Sequence, residues 1–304
     1  MTQNKIRVVI LGTGNIGTDL CARLLADSDF DVVALVGRRT DSPGLQSFEG
    51  KVGQLISNGI EGLMESGVEF EGVFDATSAY DHRLHWDLMS KEEKWMVDLT
   101  PSRIGTPFVP ELLGKVSGMD MSENLVSNYS MVTCGGQSSA PLMYSMSQHA
   151  SGISEVEVSS SIASLSAGPA TRRNIDQYIE STENLIQLIT GCPAVKAILV
   201  LNPAEPPVMM RTTVHMKVTD YDLDAMKLEA QKIVARVKRY VPGYDIVVEA
   251  HSPKPGQISA TAKVTGAGYV LPEYAGNLDI INAAAVETAR QHSRIFNKKV
   301  RSDK

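Results

Sequence analysis

Gly12-Thr13-Gly14-Asn15-Ile16-Gly17 follows a short apolar segment at 6–11 and opens a stretch of helical character, after which a second apolar segment begins near residue 31. Strand, glycine-rich turn and helix in this order are the context that a dinucleotide-binding turn requires. Its glycines let the backbone approach a pyrophosphate whose charge meets the helix N-terminus. The six residues are therefore predicted to bind a dinucleotide, and the alternative is a tight turn with a structural use only.

Two different patterns divide the chain. Apolar strands at 6–11, 32–36, 72–75 and 95–99 alternate with helical stretches, which predicts a Rossmann-type doubly wound parallel sheet in an α/β fold. From residue 153, one-face alternation at 156–162, 210–218 and 257–265, with amphipathic helices between, predicts an α+β domain with a mixed, largely antiparallel sheet. We expect a dinucleotide-binding domain at 1–132, completed by a C-terminal helix at 277–304, and a catalytic and oligomerisation domain at 133–276.

The end of the second strand normally selects the cofactor, because an acidic residue there binds the ribose 2'-hydroxyl and repels a 2'-phosphate. Here the strand runs into Arg38 and Arg39, with no acid before them. Two guanidinium groups in this position suit a phosphate, so NADP(H) is favoured and NAD(H) is the alternative.

Cys134 lies at the foot of a predicted helix, followed by Gly135 and Gly136. Ser138, Ser139 and Pro141 are typical of a helix start, whose positive end would lower the thiol pKa. The two glycines would let backbone amides approach a reacting oxygen. A nucleophilic cysteine is therefore predicted, against the alternative of an inert core residue.

Composition excludes several classes of function. The net charge of -6 argues against a nucleic-acid partner, and no apolar run is long enough for a membrane helix. Three cysteines without metal-type spacing, together with the lack of an N-terminal signal segment, predict a cytoplasmic protein with free thiols. His82 and His85 could share a helix face, but no partner ligand stands nearby in the sequence, so no metal site is predicted.

Seven segments together resemble the acylating, CoA-dependent acetaldehyde dehydrogenases, which act beside hydroxy-oxovalerate aldolases. The resemblance spans nearly the whole chain and is carried by residues 12–20, 74–79, 98–101, 131–137, 166–169, 202–207 and 274–280. It implies that Cys134 is the acylated nucleophile. It also implies that Thr77 and Ser78 belong to the cofactor site, that Ser166, Ala167 and Gly168 line the active site beside the cofactor, and that Asn277 holds the nicotinamide end.

The chain departs from the family at two positions that bear on chemistry. The family usually carries an acidic residue where this chain has Arg39, and an aspartate that supports acid-base chemistry where it has Thr212. A threonine hydroxyl cannot take up a proton as a carboxylate does. The fold and the thioester chemistry are therefore expected to carry over better than the substrate or the aldolase partner.

These observations predict an enzyme that interconverts a short-chain aldehyde and its acyl-CoA through a Cys134 thioester, with a nicotinamide cofactor and coenzyme A as co-substrate. The nearest alternative is a phosphorylating semialdehyde dehydrogenase of the N-acetyl-glutamyl-phosphate or aspartate-semialdehyde type. A non-catalytic nucleotide-binding partner of an aldolase is a third. A homodimer or tetramer is expected, because the second domain is too rich in strands to leave a broad sheet face bare.

Overall fold

The computed structural model describes residues 5–121 and 125–302 of the 304-residue chain. The chain divides into two compact units. The first consists of Met1–Phe108, Met121–Met131 and Ala285–Lys304, and the second of Val109–Asp120 and Val132–Ala284. Each unit has a hydrophobic core of its own.

The first unit is built on a parallel sheet, which confirms the predicted doubly wound architecture. Its strands, in chain order, are β1 Ile6–Leu11, β2 Phe30–Val36, β3 Gln54–Ile56, β4 Gly72–Asp75, β5 Trp95–Asp98, β6 Thr106–Pro107 and β7 Asn128–Ser130. Within the described residues they lie in the order β3-β2-β1-β4-β5-β7-β6, and every neighbouring pair is parallel. The connecting helices are α1 Asn15–Ala26, α2 Pro43–Gln46, α3 Gly59–Glu65 and α4 Ala79–Lys91. The central strands are buried along almost their whole length, as expected for a sheet covered on both faces.

The second unit contains a mixed, mostly antiparallel sheet, again as predicted. Its strands are β8 Ala150–Ser151, β9 Glu155–Ala163, β10 Val195–Asn202, β11 Met210–Lys217, β12 Asp220–Tyr221, β13 Tyr244–Lys254 and β14 Gln257–Val264. Five of these form a sheet in the order β10-β9-β11-β14-β13, in which only the β10 and β9 pair is parallel. Its helices are α5 Cys134–Ser147, α6 Pro169–Arg173, α7 Ile175–Thr190, α8 Leu223–Val237 and α9 Gly276–Ser302, the last of which continues into the first unit.

Alternation along the strands decides which face of this sheet is buried. Val158 on β9 and Val214 on β11 point into the core with Leu142 of α5 and Ile233 of α8. The residues between them on the strands, such as Arg211, lie on the opposite and more exposed face. Helices therefore cover one side of the sheet, and among the described residues the other side is left open.

The segment Val109–Asp120 differs from the sequence-based division, which placed it with the nucleotide domain. Val109, Leu112 and Met119 are fully buried against Ala140 of α5 and Leu185 of α7, and this packing groups the segment with the second unit. Along the described part of the chain, no helix has both the length and the apolar character needed to cross a bilayer.

Candidate active site

The glycine-rich turn joins the end of β1 to the start of α1. A Cβ on Gly12, whose φ is +107°, would stand 2.5 Å from the carbonyl oxygen of Ala76, and a Cβ on Gly17 would stand 2.0 Å from the carbonyl oxygen of Gly12. These two glycines are required by close packing of the turn itself. Gly14 is different, because a Cβ there would meet no protein atom within 4 Å.

The open space at Gly14 is the feature that fits a bound dinucleotide. Gly14 is the N-cap of α1, no side chain caps this end, and the first turn of the helix carries no acidic residue. Thr13 is tied down by a 2.8 Å hydrogen bond between its hydroxyl and that of Ser42. The turn thus presents a helix N-terminus, with an unobstructed approach, to an anionic group.

Arg38 and Arg39 are exposed just after β2. Arg39 makes a two-pronged ion pair with Asp41, with Nε to Oδ1 at 2.8 Å and the second contact at 2.5 Å. The hydrogen bond from Arg39 lowers the pKa of the Asp41 carboxyl. Asp41 was missed in the sequence because it follows the arginines instead of preceding them, and it competes with any phosphate for Arg39.

Thr77 and Ser78 follow β4 and are held by neighbouring carboxylates. Thr77 donates to Asp75 from both its amide, at 3.0 Å, and its hydroxyl, at 2.5 Å. The Ser78 hydroxyl caps α4 by accepting from the amide of Asp81. The loop at the end of β4 therefore has a fixed conformation at the carboxyl edge of the parallel sheet, where open α/β sheets bind ligands.

His82 and His85 bind a carboxylate, and both place Nδ1 2.8 Å from Oδ2 of Asp75. Burial alone would raise the pKa of Asp75, but these hydrogen bonds and the one from Thr77 outweigh it and lower that pKa. The pKa of the neighbouring Asp98 is raised to about 6, chiefly because that carboxyl is buried. The shared helix face noted in the sequence thus serves a buried network behind Thr77.

Cys134 is the first residue of α5, so the helix begins four residues earlier than the pattern at Ser138 predicted. The cap is Thr133, whose hydroxyl accepts from the amide of Gly136 at 2.8 Å and lies 2.8 Å from the hydroxyl of Thr182. Val132, just before the cap, has a φ of +55°. A β-branched residue in this region is strained, and such strain is concentrated at functional sites.

The Cys134 thiol is not the low-pKa group that the sequence predicted. Burial raises its pKa to about 11, although the Gly135 amide and the Tyr178 hydroxyl both oppose this shift. The helix N-terminus is where it was expected, but desolvation of the thiolate outweighs it. Of the three cysteines, Cys134 alone is partly exposed, whereas Cys21 and Cys192 are buried.

A row of buried hydroxyl groups lies behind Cys134. The Thr212 hydroxyl on β11 is 2.6 Å from that of Ser138 on α5 and 3.1 Å from that of Ser160 on β9. Thr212 and Ser160 are direct partners in the antiparallel pairing of the two strands. Sequence reasoning named Ser138 and Thr212 for other reasons but missed Ser160 and the contacts among the three. The available signal was that Ser160, a polar residue, stands on the apolar face of β9 with Val156, Val158 and Ile162.

The remaining candidate residues lie in the second unit. Ser166 and Ala167 are buried, and the Ser166 hydroxyl donates to the carbonyl of Ala163 at 2.8 Å. A Cβ on Gly168 would meet nothing within 4 Å. Asn277, the second residue of α9, is 2% exposed, and its side-chain oxygen has no hydrogen-bond partner. A buried amide oxygen without a partner is costly, which fits a group reserved for a ligand.

Comparison with known proteins gives consistent results. The family model described as prokaryotic acetaldehyde dehydrogenase, dimerisation, matches residues 134–272. The acetaldehyde dehydrogenase of Pectobacterium atrosepticum is 39% identical, with 96% of this chain and 97% of that protein covered. The corresponding proteins of Spirochaeta aurantia and Bacillus thuringiensis are 41% and 37% identical, covering 95% and 98% of this chain and 95% and 97% of their own lengths.

A solved structure confirms the fold alone. The crystal structure of aspartate semialdehyde dehydrogenase II from Vibrio cholerae aligns with a TM-score of 0.57 at 11% identity, covering 97% of this chain and 99% of that one.

Proposed function

The chain belongs to the acetaldehyde dehydrogenase family, and we propose that it interconverts a short-chain aldehyde and its acyl-CoA through a thioester on Cys134. One observation carries the proposal: Cys134 is partly exposed at the first turn of α5, beside the amides of Gly135 and Gly136. That arrangement supplies a nucleophile together with a donor, the Gly135 amide, for the oxygen that becomes negative when a carbonyl is attacked. The Gly136 amide already donates to the Thr133 hydroxyl that caps the helix.

In the oxidative direction, the Cys134 sulfur adds to the aldehyde carbon and gives a hemithioacetal. A nicotinamide cofactor, when bound, supplies the hydride acceptor. The Cys134 side chain then carries the acyl group as a thioester, which the thiol of coenzyme A attacks to release acyl-CoA. Because the pKa of Cys134 is about 11, the resting residue is a neutral thiol at pH 7, so its proton must be transferred during the addition.

The glycine-rich turn of the first unit fits a dinucleotide. The uncapped N-terminus of α1 and the open space at Gly14 would hold its pyrophosphate, with Thr13, Asn15 and Ile16 in the same turn. Thr77, Ser78, Ser166, Ala167, Gly168 and Asn277 remain cofactor-site predictions from the sequence. We propose NADP(H) over NAD(H), because Arg38 and Arg39 stand where a discriminating carboxylate would lie.

A homo-oligomer is part of the proposal. The family matched by residues 134–272 is named for dimerisation. Within the second unit, Val200 of β10 and Val247 and Val248 of β13 are 44%, 42% and 43% exposed. Apolar residues on an open sheet face are typical of a surface that packs against another subunit. An aldolase partner and a cytoplasmic location remain predictions from the sequence.

The chemistry can be tested by mass spectrometry of the intact protein after incubation with acetyl-CoA. The native protein should gain one acetyl group, which is lost on addition of hydroxylamine, whereas Cys134→Ala should gain none. Cys192→Ala is the matched control, because Cys192 lies in the same unit and is buried, with only 2% of its surface exposed. Acylation of Cys134→Ala, or none of the native protein, would contradict the proposal. Release of the acyl group by phosphate instead of coenzyme A would identify the phosphorylating alternative.

A further inference from the structure

Tyr178 is an aromatic side chain of α7 that lies against the first turn of α5. It is 8% exposed, and its hydroxyl has no hydrogen-bond partner of good geometry. A Cβ on Gly135 would stand 1.9 Å from this hydroxyl oxygen and 2.7 Å from that of Ser160. Gly135 is therefore the residue that lets both hydroxyls approach the backbone beside Cys134.

The hydroxyls behind Tyr178 are ordered in one direction. The Ser138 hydroxyl can donate to Thr212 at 2.6 Å or to the Gly135 carbonyl at 3.2 Å, and the shorter contact is the one to Thr212. When Ser138 donates to Thr212, the Thr212 proton is left for Ser160 at 3.1 Å, a contact in which either hydroxyl can be the donor. The Ser160 proton is then left to face Tyr178, which in turn leaves the phenol proton for Cys134. The interaction with Ser160 lowers the pKa of the phenol, as a donor to its oxygen would, and the interaction with Cys134 raises it, as expected when the phenol donates to the sulfur. A buried donor that faces the thiol is placed to serve a reacting group there.

We propose that Tyr178 is a catalytic residue that moves the proton between the Cys134 thiol and the aldehyde oxygen, oriented by Ser160, Thr212 and Ser138. This rests on the proposed thioester chemistry and adds the group that handles the proton. Neither Thr212 nor any other member of the row is a carboxylate, so within the row only hydroxyl groups can carry the proton.

The addition step balances without a net acid or base. The bond from the Cys134 sulfur to the carbonyl carbon forms as the carbonyl π bond breaks, and the Tyr178 hydroxyl gives its proton to the carbonyl oxygen. The thiol proton replaces it on the phenol oxygen. No group is oxidised or reduced, and the product is a neutral hemithioacetal.

The titration behaviour of the two groups is consistent with such a concerted transfer. Burial and the nearby Cys134 raise the pKa of Tyr178 well above its ordinary value. The Tyr178 hydroxyl in turn opposes the effect of burial on the Cys134 pKa, as a donor to the sulfur would. Both groups therefore hold their protons at pH 7 in the resting protein, and neither needs to be ionised beforehand.

Tyr178→Phe tests the proposal, since it removes one oxygen and keeps the ring. We expect kcat for aldehyde oxidation to fall about 100-fold or more, with little change in KM. The rate of Cys134 alkylation by iodoacetamide at pH 8 should fall about tenfold, as expected when a thiolate loses a hydrogen-bond donor and its pKa rises by about one unit. Ser160→Ala should lower both kcat and the alkylation rate by a smaller factor, because the phenol remains but the Ser160 hydroxyl no longer orients it.

Tyr221→Phe is the matched control, because the hydroxyl of Tyr221 bonds Ser252 in the same unit and plays no part in the row behind Cys134. It should retain the native kcat and alkylation rate, and all variants should melt as the native protein does. A Tyr178→Phe variant with native kcat and a native pH profile of alkylation overturns the role of Tyr178, as does a full loss in Ser160→Ala without one in Tyr178→Phe. If acetyl-CoA does not acylate the native protein, the proposed function fails, while alkylation still decides whether Tyr178 acts on the thiol.

Discussion

Replacing Gly14 with alanine separates the needs of the fold from the needs of nucleotide binding. Gly14 has φ -80° and ψ -173°, an extended conformation that alanine adopts freely, and an added Cβ meets no protein atom within 4 Å. The folded state therefore accepts the methyl group, while the unfolded chain loses freedom. We expect the free energy of unfolding of Gly14→Ala to equal that of the native protein or to exceed it by about 0.4–1 kcal/mol.

The same methyl group would stand in the space proposed for the pyrophosphate. If it removes one backbone hydrogen bond to a charged phosphate oxygen, binding weakens by about 1.5–3 kcal/mol, and the dissociation constant rises about tenfold to more than 100-fold. Titration of NADPH and NADH by protein fluorescence gives the dissociation constants, and urea unfolding gives the stability. Native affinity in Gly14→Ala would refute the assignment of this turn to the pyrophosphate.

Gly17→Ala is the contrasting variant on the same turn. Its Cβ would stand 2.0 Å from the carbonyl oxygen of Gly12, so the backbone must move by about 1 Å or more to reach an ordinary contact. Overpacking of this kind costs about 1–3 kcal/mol, and we expect a lower melting temperature together with weaker nucleotide binding. Native stability in Gly17→Ala would show that the turn is looser than the structure indicates.

Three further outcomes are expected. Asp41→Ala should increase the preference for NADPH over NADH by freeing Arg39 from its ion pair, and Arg39→Asp should reverse the preference. The dissociation constants for NADPH and NADH measure this preference. Tighter binding of NADH than of NADPH by the native protein would contradict the proposed NADP(H) specificity. Burial lowers the pKa of His292 from 6.5 to about 4, so between these pH values the imidazole is protonated in the unfolded chain and neutral in the folded protein. Stability should thus be lost as pH falls from about 6.5 toward 4, by up to about 3 kcal/mol, and urea titrations of His292→Phe should show a flatter dependence. Sedimentation at micromolar concentration should show a dimer or tetramer, and a monomer alone would contradict the proposed use of the open sheet face.

The sequence was sufficient for features that depend on neighbours along the chain. We predicted the glycine-rich turn, the parallel sheet and the one-face alternation of β9 and β11 from the sequence, because the periodicity of apolar residues along the chain indicates strands and helices. Cys134 was predicted to stand at a helix start for the same reason. The pattern of this helix start erred on the cap, since Ser138, Ser139 and Pro141 are typical of a start whereas Thr133, five to eight residues earlier, makes the capping bond.

Tertiary structure alone decided what surrounds the candidate residues. Tyr178, Ser160 and Thr212 come from three elements, and only strand pairing and helix packing bring their hydroxyls toward Cys134. The pKa of the Cys134 thiol shows the physical reason. The sequence indicates a helix N-terminus, which lowers this pKa, but desolvation raises it and depends on every atom packed around the sulfur. Arg39 is a second example, on the surface of the protein. Its contact with Asp41 depends on the conformation of the loop after β2, and the order of residues in that loop does not reveal it.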